Sequence, residues 1–152
     1  MMTIEEIIKA YQVINPDCPC QIQAWQFGIM PDELAQLVVT GQKTATASAY
    51  DAYLIHDEPL PSVTNNPYSV VLNSQNEPVC IIKTTKVTIL PFKEVSADHA
   101  YKEGDGDRSL AYWCQIHWKV FSQWLAADGA AFTEDSLVVC EEFEVVYYPK
   151  KI

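Results

Sequence analysis

A lysine and a threonine that could share one cavity occur three positions apart, at Lys43 and Thr46. A threonine hydroxyl is a poor nucleophile until a base removes its proton. A lysine amine can be that base once burial or neighbouring charges lower its pKa from about 10.4. The pair indicates nucleophilic catalysis, although a solvent-exposed lysine after a helix cap, followed by strand-forming threonines, gives the same pattern.

A second group of candidates lies in the segment 103–107, where Glu103, Asp105 and Asp107 alternate with glycines. Carboxylate oxygens are ligands of Mg²⁺ and Ca²⁺, but the register of a calcium-binding loop and its distant glutamate are missing. We therefore predict no metal ion and no cofactor: the glycines make a bend, and Asp107 caps the helix that follows. Glu103 ends a short helix beside a flexible loop, where a carboxylate could transfer protons.

The third candidate region is a long helix that carries His117 together with Trp113, Trp118 and Trp124. A histidine on an apolar helix face is more typical of a core residue than of a catalyst. The tryptophans are expected in the core. One of them could instead line a pocket and stack on a nucleobase, an interaction worth ~1–3 kcal/mol.

Helices must position these candidates. Thr3 and Glu6 have the spacing of a capping box, which predicts a first helix that continues to about residues 11–13. A second helix begins at Pro31, since proline suits the first turn, and ends at Gly41, where a left-handed residue is wanted. Two further helices are predicted over 97–102, capped by Ser96, and over 108–127, from the 3–4 spacing of apolar residues.

Short β-rich segments alternate with the helices, and tight turns separate them. The pattern predicts an α+β fold, a small, mainly antiparallel sheet or barrel with helices outside it. Residues 1–20 are expected to form an N-terminal helical extension packed against a domain over 21–152, and the proline-rich stretch 57–67 a surface loop. The predicted strands are 44–48, 68–72, 79–82 with 86–90 as one long bent strand, 137–140 and 143–147.

Composition restricts the possible functions. The chain has 152 residues, 49% of them hydrophobic, which is typical of a folded domain, and a net charge of −10 with Arg108 as its one arginine. So few cations argue against phosphate-driven binding of long nucleic acid. There is no signal-peptide pattern and no apolar run long enough to span a membrane. Five scattered cysteines suit a reducing compartment, so we expect a cytoplasmic protein.

Two motifs in this order resemble the ASCH domain, a member of the PUA-like superfamily. The first is G-x-K-x-x-T at 41–46. The second is the loop E-G-acid-G-D-x-S-L at 103–110, followed by Trp113 and His117, which is typical of a longer bacterial subgroup. The resemblance covers roughly residues 25–148. It implies a PUA-like, mainly antiparallel β-barrel with helices packed outside and a cleft at one mouth.

The resemblance also implies a nucleoside or RNA-related ligand. In a small bacterial branch of the family, an amidohydrolase removes the acetyl group from N(4)-acetylcytidine with a Thr, a Lys and a Glu. Matching the motifs places these roles on Thr46, Lys43 and Glu103: the threonine attacks, the lysine activates it, and the glutamate relays a proton to the leaving amine. That branch has an arginine where this chain has Ser48. The residues expected to bind the ligand are Gly41, Thr44, Ser48, Asp105, Asp107, Trp113 and His117.

Other ASCH relatives are regarded as RNA-binding modules, and one as a ribonuclease, so two alternatives stay open: non-catalytic RNA binding and metal-dependent RNA cleavage. The acidic charge favours a small nucleoside or RNA fragment as the ligand, with no membrane and no double-stranded DNA as partner; a homodimer is compatible with the sequence. A continuous stripe of lysines leading to the cleft would favour RNA binding instead. The lysines concerned are Lys83, Lys86, Lys93 and Lys102.

Overall fold

A five-stranded sheet forms the centre of the molecule, which is described over residues 2–149 of a computed structural model. Across the sheet the order is β1-β3-β4-β5-β2, with β1 parallel to β3 and every other pair antiparallel. The sheet curls into a half-barrel with helices outside it, which confirms the predicted α+β class. The strands are β1 (Gln23–Trp25), β2 (Ala45–Ala49), β3 (Tyr68–Leu72), β4 (Pro78–Pro91) and β5 (Leu137–Tyr147).

Five helices pack on this sheet, and the start of the first helix and the end of the second follow the expected local signals. The Thr3–Glu6 capping box is present, and Gly41 follows the second helix with a φ of +85°. Within residues 2–149 no helix has both the length and the apolar character to cross a membrane. The helices are α1 (Ile4–Ile14), α2 (Pro31–Val39), α3 (Tyr50–Ile55), α4 (Ala97–Glu103) and α5 (Leu110–Ala127), with a short 3₁₀ turn at Phe92–Glu94.

The helix α1 shares a core with the sheet. Its buried residues Ile7, Ile8 and Tyr11 pack against side chains of β3 and β4. Removing them from water gives each a stabilisation of about 1.5–3 kcal/mol. Residues 150–152, which the predicted domain includes, lie outside the described residues.

The second large core lies between α5 and the opposite end of the sheet. Trp113 and Phe121 are buried there, as the helical spacing predicts, and Leu125 is buried beside them. The expectation that the other tryptophans of this helix lie in the core is wrong. Trp118 is 39% exposed and Trp124 48% exposed, because both lie at the margin of the apolar face.

The start of α5 differs from the prediction. The helix begins at Leu110, and its N-cap is Ser109, whose Oγ accepts a hydrogen bond from the Tyr112 N–H at 3.1 Å. Arg108 has a left-handed φ of +64°, which a right-handed helix cannot contain. Asp107 therefore lies two residues before the N-cap, and its carboxylate accepts from the Ser109 N–H at 2.9 Å instead.

A glycine joins the end of α4 to the loop between α2 and β2. Gly104 has a φ of +83°, and a Cβ at this position would lie 2.6 Å from the carbonyl oxygen of Gln42. The Gln42 Nε2 donates to the Gly104 carbonyl at 2.7 Å, and the Thr44 N–H donates to the Lys102 carbonyl at 2.8 Å. These contacts hold the two sequence motifs against each other.

We predict that Gly104→Ala destabilises the protein more than Gly129→Ala. Both glycines have a left-handed φ, which costs an alanine of the order of 1 kcal/mol, but a Cβ at Gly129 would meet nothing within 4 Å. The difference therefore isolates the collision with Gln42. Urea unfolding measures it, and equal losses for the two variants would show that the close approach is unimportant.

Candidate functional site

The carboxylate of Glu103 lies at the centre of a buried polar cluster, and it is 2% exposed. Its Oε2 accepts from His99 Nε2 at 2.7 Å and from Trp113 Nε1 at 2.6 Å. Its Oε1 lies 3.4 Å from Lys43 Nζ and 3.4 Å from His117 Nε2. Four nitrogen groups thus surround two oxygens, which matches the acceptor capacity of an ionised carboxylate.

Helical spacing supplies most of these neighbours. His99 precedes Glu103 by four residues on α4, so the two side chains share one face of the helix. Trp113 and His117 are related in the same way on α5, and their rings stack with centroids 4.2 Å apart. The His117 Nδ1–H donates to the Trp113 carbonyl at 2.9 Å, which fixes the ring. Two rigid helices therefore hold three of the four nitrogen groups.

Lys43 provides the fourth group, and its side chain is 2% exposed. The alternative of an exposed lysine after a helix cap is therefore wrong. The turn at Gly41 sends the chain back into the protein, where the ammonium lies 5.1 Å from the centroid of the Phe27 ring. Its Nζ donates to the Ala45 carbonyl at 2.8 Å as well as contacting Glu103.

The electrostatics of the pair favour an ionised carboxylate. Burial by itself would raise the pKa of Glu103, since it removes water from the charged form. The Lys43 ammonium and the hydrogen bonds from His117 and His99 outweigh burial, and they hold the pKa of Glu103 well below its usual range. Glu103 is therefore ionised in the folded protein because Lys43 and the two histidines stabilise its negative charge.

Asp105 borders the cluster with an unused acceptor. Its Oδ1 is buried and has no hydrogen-bond partner within residues 2–149, although Lys43 Nζ lies 4.0 Å away. Burial raises the pKa of this carboxyl, an effect that Lys43 partly opposes. A buried acceptor without a donor costs free energy, so this oxygen destabilises the cluster locally.

Thr46 lies in β2, directly across from Glu141 of β5. Within residues 2–149 its hydroxyl makes no hydrogen bond with Lys43 or Glu103. The peptide carbonyl that accepts from Lys43, however, is that of Ala45, which is covalently joined to the Thr46 nitrogen. The lysine amine thus contacts the peptide that precedes the predicted nucleophile, and the catalytic assignment remains a prediction.

The remaining predicted binding residues are distributed around this region. The Ser48 hydroxyl pairs with the Tyr53 hydroxyl at 2.7 Å, in the segment where the amidohydrolase branch has its arginine. Thr44 takes part in the loop junction through its backbone and is half-buried. The cluster brings together Trp113, His117 and Asp105, whereas Gly41 and Asp107 are exposed and contact none of its charged groups in the described structure.

A cavity of about 160 Å³ adjoins the cluster on the far side of His99. His99 lines it and also bonds to Glu103, so the imidazole connects the cavity to the buried carboxylate. A larger depression of about 620 Å³ lies beside the start of α1 and contains none of the candidate residues. The smaller cavity is lined by Lys86, Thr88, Leu90, Val95, Ser96, Asp98, His99, Lys102, Cys140 and Glu142.

The lysines that could have formed a stripe leading to the cleft mostly contact carboxylates. Lys83 instead lies 5.9 Å from the ring centroid of Tyr68. No continuous positive stripe is therefore free to follow a phosphate backbone within residues 2–149. The contacts are Lys86–Glu142 at 3.8 Å, Lys102–Glu142 at 3.0 Å, Lys102–Asp98 at 3.0 Å and Lys93–Asp135 at 2.7 Å.

Sequence reasoning did not assign a role to two further groups. The signal for His99 is its spacing of four residues before Glu103, which puts both side chains on one face of α4. Glu141 gave no signal, because its position opposite Thr46 depends on strand register. Within the described residues no group of three or more His, Cys, Asp and Glu side chains is arranged to hold a metal ion.

Comparison with known proteins gives consistent matches. A family model described as the ASCH domain matches residues 23–147. The crystal structure of an ASCH domain from Lactobacillus crispatus JV V101 is 32% identical, with a TM-score of 0.86 over 93% of this chain and 92% of that one. Protein EF3133 from Enterococcus faecalis V583 is 37% identical, with a TM-score of 0.80 over 93% and 88%. No curated protein matches significantly.

We predict that Glu103→Gln lowers the free energy of unfolding by about 3–5 kcal/mol at pH 7, because it leaves a buried ammonium without its carboxylate. The folded-state pKa of Glu103 is depressed, so its contribution is present above the unfolded pKa of about 4.3 and is lost as the pH falls through the folded value. The difference in the free energy of unfolding between wild type and Glu103→Gln should therefore become smaller in acid.

Urea unfolding at pH 7 and below pH 4 measures this difference. Asp135→Asn is the matched control, since it breaks the exposed contact with Lys93 and should change nothing measurable. The double variant Lys43→Met/Glu103→Leu should recover part of the loss, because it removes both charges. A Glu103→Gln variant as stable as wild type at pH 7 would contradict the account.

Proposed function

This chain belongs to the ASCH domain family, and on that premise we propose that it hydrolyses the amide bond of a small acylated nucleoside of the N(4)-acetylcytidine type. One observation carries the proposal: the water-shielded contact of 3.4 Å between Lys43 Nζ and Glu103 Oε1, with the same amine bonded to the peptide that precedes Thr46. The matched motifs assign base, acid and nucleophile to these three residues.

The buried pair can supply a base and an acid together. Lys43 must be a neutral amine to accept the proton of Thr46. Moving one proton from Lys43 to Glu103 across their contact produces that amine and, in the same step, a carboxylic acid. The depressed pKa of Glu103 sets the free-energy cost of the transfer.

The reaction then proceeds in two stages. The Thr46 oxygen attacks the acyl carbonyl carbon, and its proton passes to Lys43. The C–N bond breaks, Glu103 gives its proton to the leaving amine, and the acyl group remains on Thr46 as an ester. Water hydrolyses the ester, which releases the carboxylic acid and restores the hydroxyl. Catalytic hydrogen bonds often form only when the substrate is bound, so the Thr46 to Lys43 bond is expected in the complex.

The surroundings support a small ligand. The cavity of about 160 Å³ beside His99 is lined by Glu142, which lies on the opposite face of the sheet from Thr46. It contains none of the three proposed catalytic residues, so it is not the place where the acyl group binds. Contacts with carboxylates occupy Lys86, Lys93 and Lys102, which are three of the four lysines that could have formed a stripe for a polynucleotide.

We predict that the wild-type protein releases cytidine and acetate from N(4)-acetylcytidine. Thr46→Ala should abolish turnover by removing the nucleophile, and Lys43→Met should lower kcat by about 10²–10⁴-fold by removing the base. Thr64→Ala is the control, since this exposed threonine lies in the loop before β3 and should leave the rate unchanged. Chromatographic detection of cytidine gives the rates, and a wild type without turnover would refute the proposal.

The binding alternative is tested with a short RNA and a salt titration. Because most of the candidate lysines contact carboxylates, we predict weak binding with a shallow dependence of log K on log salt. A steep slope would identify an RNA-binding surface instead. Cleavage of the same RNA that EDTA abolishes would identify a metal-dependent ribonuclease.

A further inference from the structure

The edge of the sheet formed by β2 and β5 has two faces with different polar groups. Side chains alternate along a strand, and directly paired residues of antiparallel strands share a face. Ala45 and its partner Glu142 therefore lie on one face, and Thr46 and its partner Glu141 on the other. The predicted nucleophile has Glu141 as its directly paired neighbour, with Cβ atoms about 4.5–5.5 Å apart in such pairs.

Glu141 is a half-buried carboxylate with one oxygen committed and one available. Its Oε2 accepts from the Thr84 hydroxyl at 3.2 Å. In the part of the chain that the structure describes, Oε1 receives no hydrogen bond from protein, and no lysine, arginine or histidine lies within salt-bridge distance of the side chain. Burial raises the pKa of this carboxyl, and the Thr84 bond opposes that effect.

Comparison with Glu142, the next residue along β5, shows that a carboxylate without a cationic partner occurs on only one of these two faces. Glu142 lies 3.0 Å from Lys102 Nζ and 3.8 Å from Lys86 Nζ, so its charge is compensated within the protein. Glu141 has no such compensation among the described residues, and its Oε1 is not one of the enclosed atoms that lack a partner, so a ligand can reach it. A hydrogen-bond donor supplied by a ligand would fill the missing position beside Thr46.

We propose that Glu141 binds the N–H of the scissile amide and thereby restricts the substrate to acylated primary amines. The inference rests on the proposed function and adds a specificity-determining residue to it. In a secondary amide the N–H and the carbonyl carbon are joined by the C–N bond. Thr46 at the carbon and Glu141 at the N–H would therefore contact adjacent atoms, as their cross-strand pairing allows. A carboxylate accepting from the N4 position of cytosine is a known pairing in base recognition.

The test compares two substrates, N(4)-acetylcytidine and its N(4)-methyl derivative, which lacks the N–H. Hydrogen bonds to charged groups are strong enough to change kcat/KM by about 10–100-fold. We expect the wild type to disfavour the methylated compound by about this factor. Glu141→Leu should lose activity on the N–H compound and should treat the two compounds nearly alike, whereas Glu142→Leu, on the opposite face, should keep the wild-type preference.

The outcomes separate the two claims. A wild type that turns over neither compound refutes the proposed function and this inference together. Turnover with the same methyl discrimination in wild type and Glu141→Leu refutes the role of Glu141 alone. Should the leucine variant fail to fold, Glu141→Gln decides, because a neutral acceptor should reduce the methyl discrimination without removing it. Unchanged discrimination in the glutamine variant would overturn the assignment.

Discussion

The contact between the Lys43 ammonium and the Glu103 carboxylate constrains the rest of this site. Two charges that are both about 98% shielded from water lose most of their solvation, and they are tolerated only when each has close partners. Glu103 has four nitrogen groups around it, from α2–β2, α4 and α5. Losing any one leaves a buried polar group unsatisfied, so three separate parts of the chain must meet here.

This requirement explains several features that have no catalytic role themselves. Gly104 lets the end of α4 approach the Gln42 carbonyl, and Gly41 turns the chain so that Lys43 enters the interior. The stacking of Trp113 on His117 fixes two donors on one helix. The charged pair thereby occupies a rigid frame, and an arrangement of this kind is what proton transfer with little reorganisation needs. The two glycine-containing motifs provide the backbone turns that bring Lys43 and Glu103 together.

Local sequence signals predicted most of the fold and part of the site. The capping box at Thr3, the proline at the start of α2 and the apolar spacing of α5 are each local, and each predicted its helix. Two elements were missed: β1 has three residues and pairs in parallel with β3, and α3 has six residues and no side-chain cap. The motifs predicted that Lys43 and Glu103 belong to one site. The proximity of Glu141 to Thr46 could not be predicted, because strand register is a long-range property.

The most direct test of this account is the ionisation of Glu103 itself, followed by the carbon-13 signal of its carboxyl group during a pH titration. We predict that in the wild type this signal stays at the ionised position through the range near pH 4.3 where exposed glutamates titrate. In Lys43→Met the ammonium is absent, so the pKa of Glu103 should rise. A wild-type Glu103 that titrates together with the exposed glutamates would contradict the account.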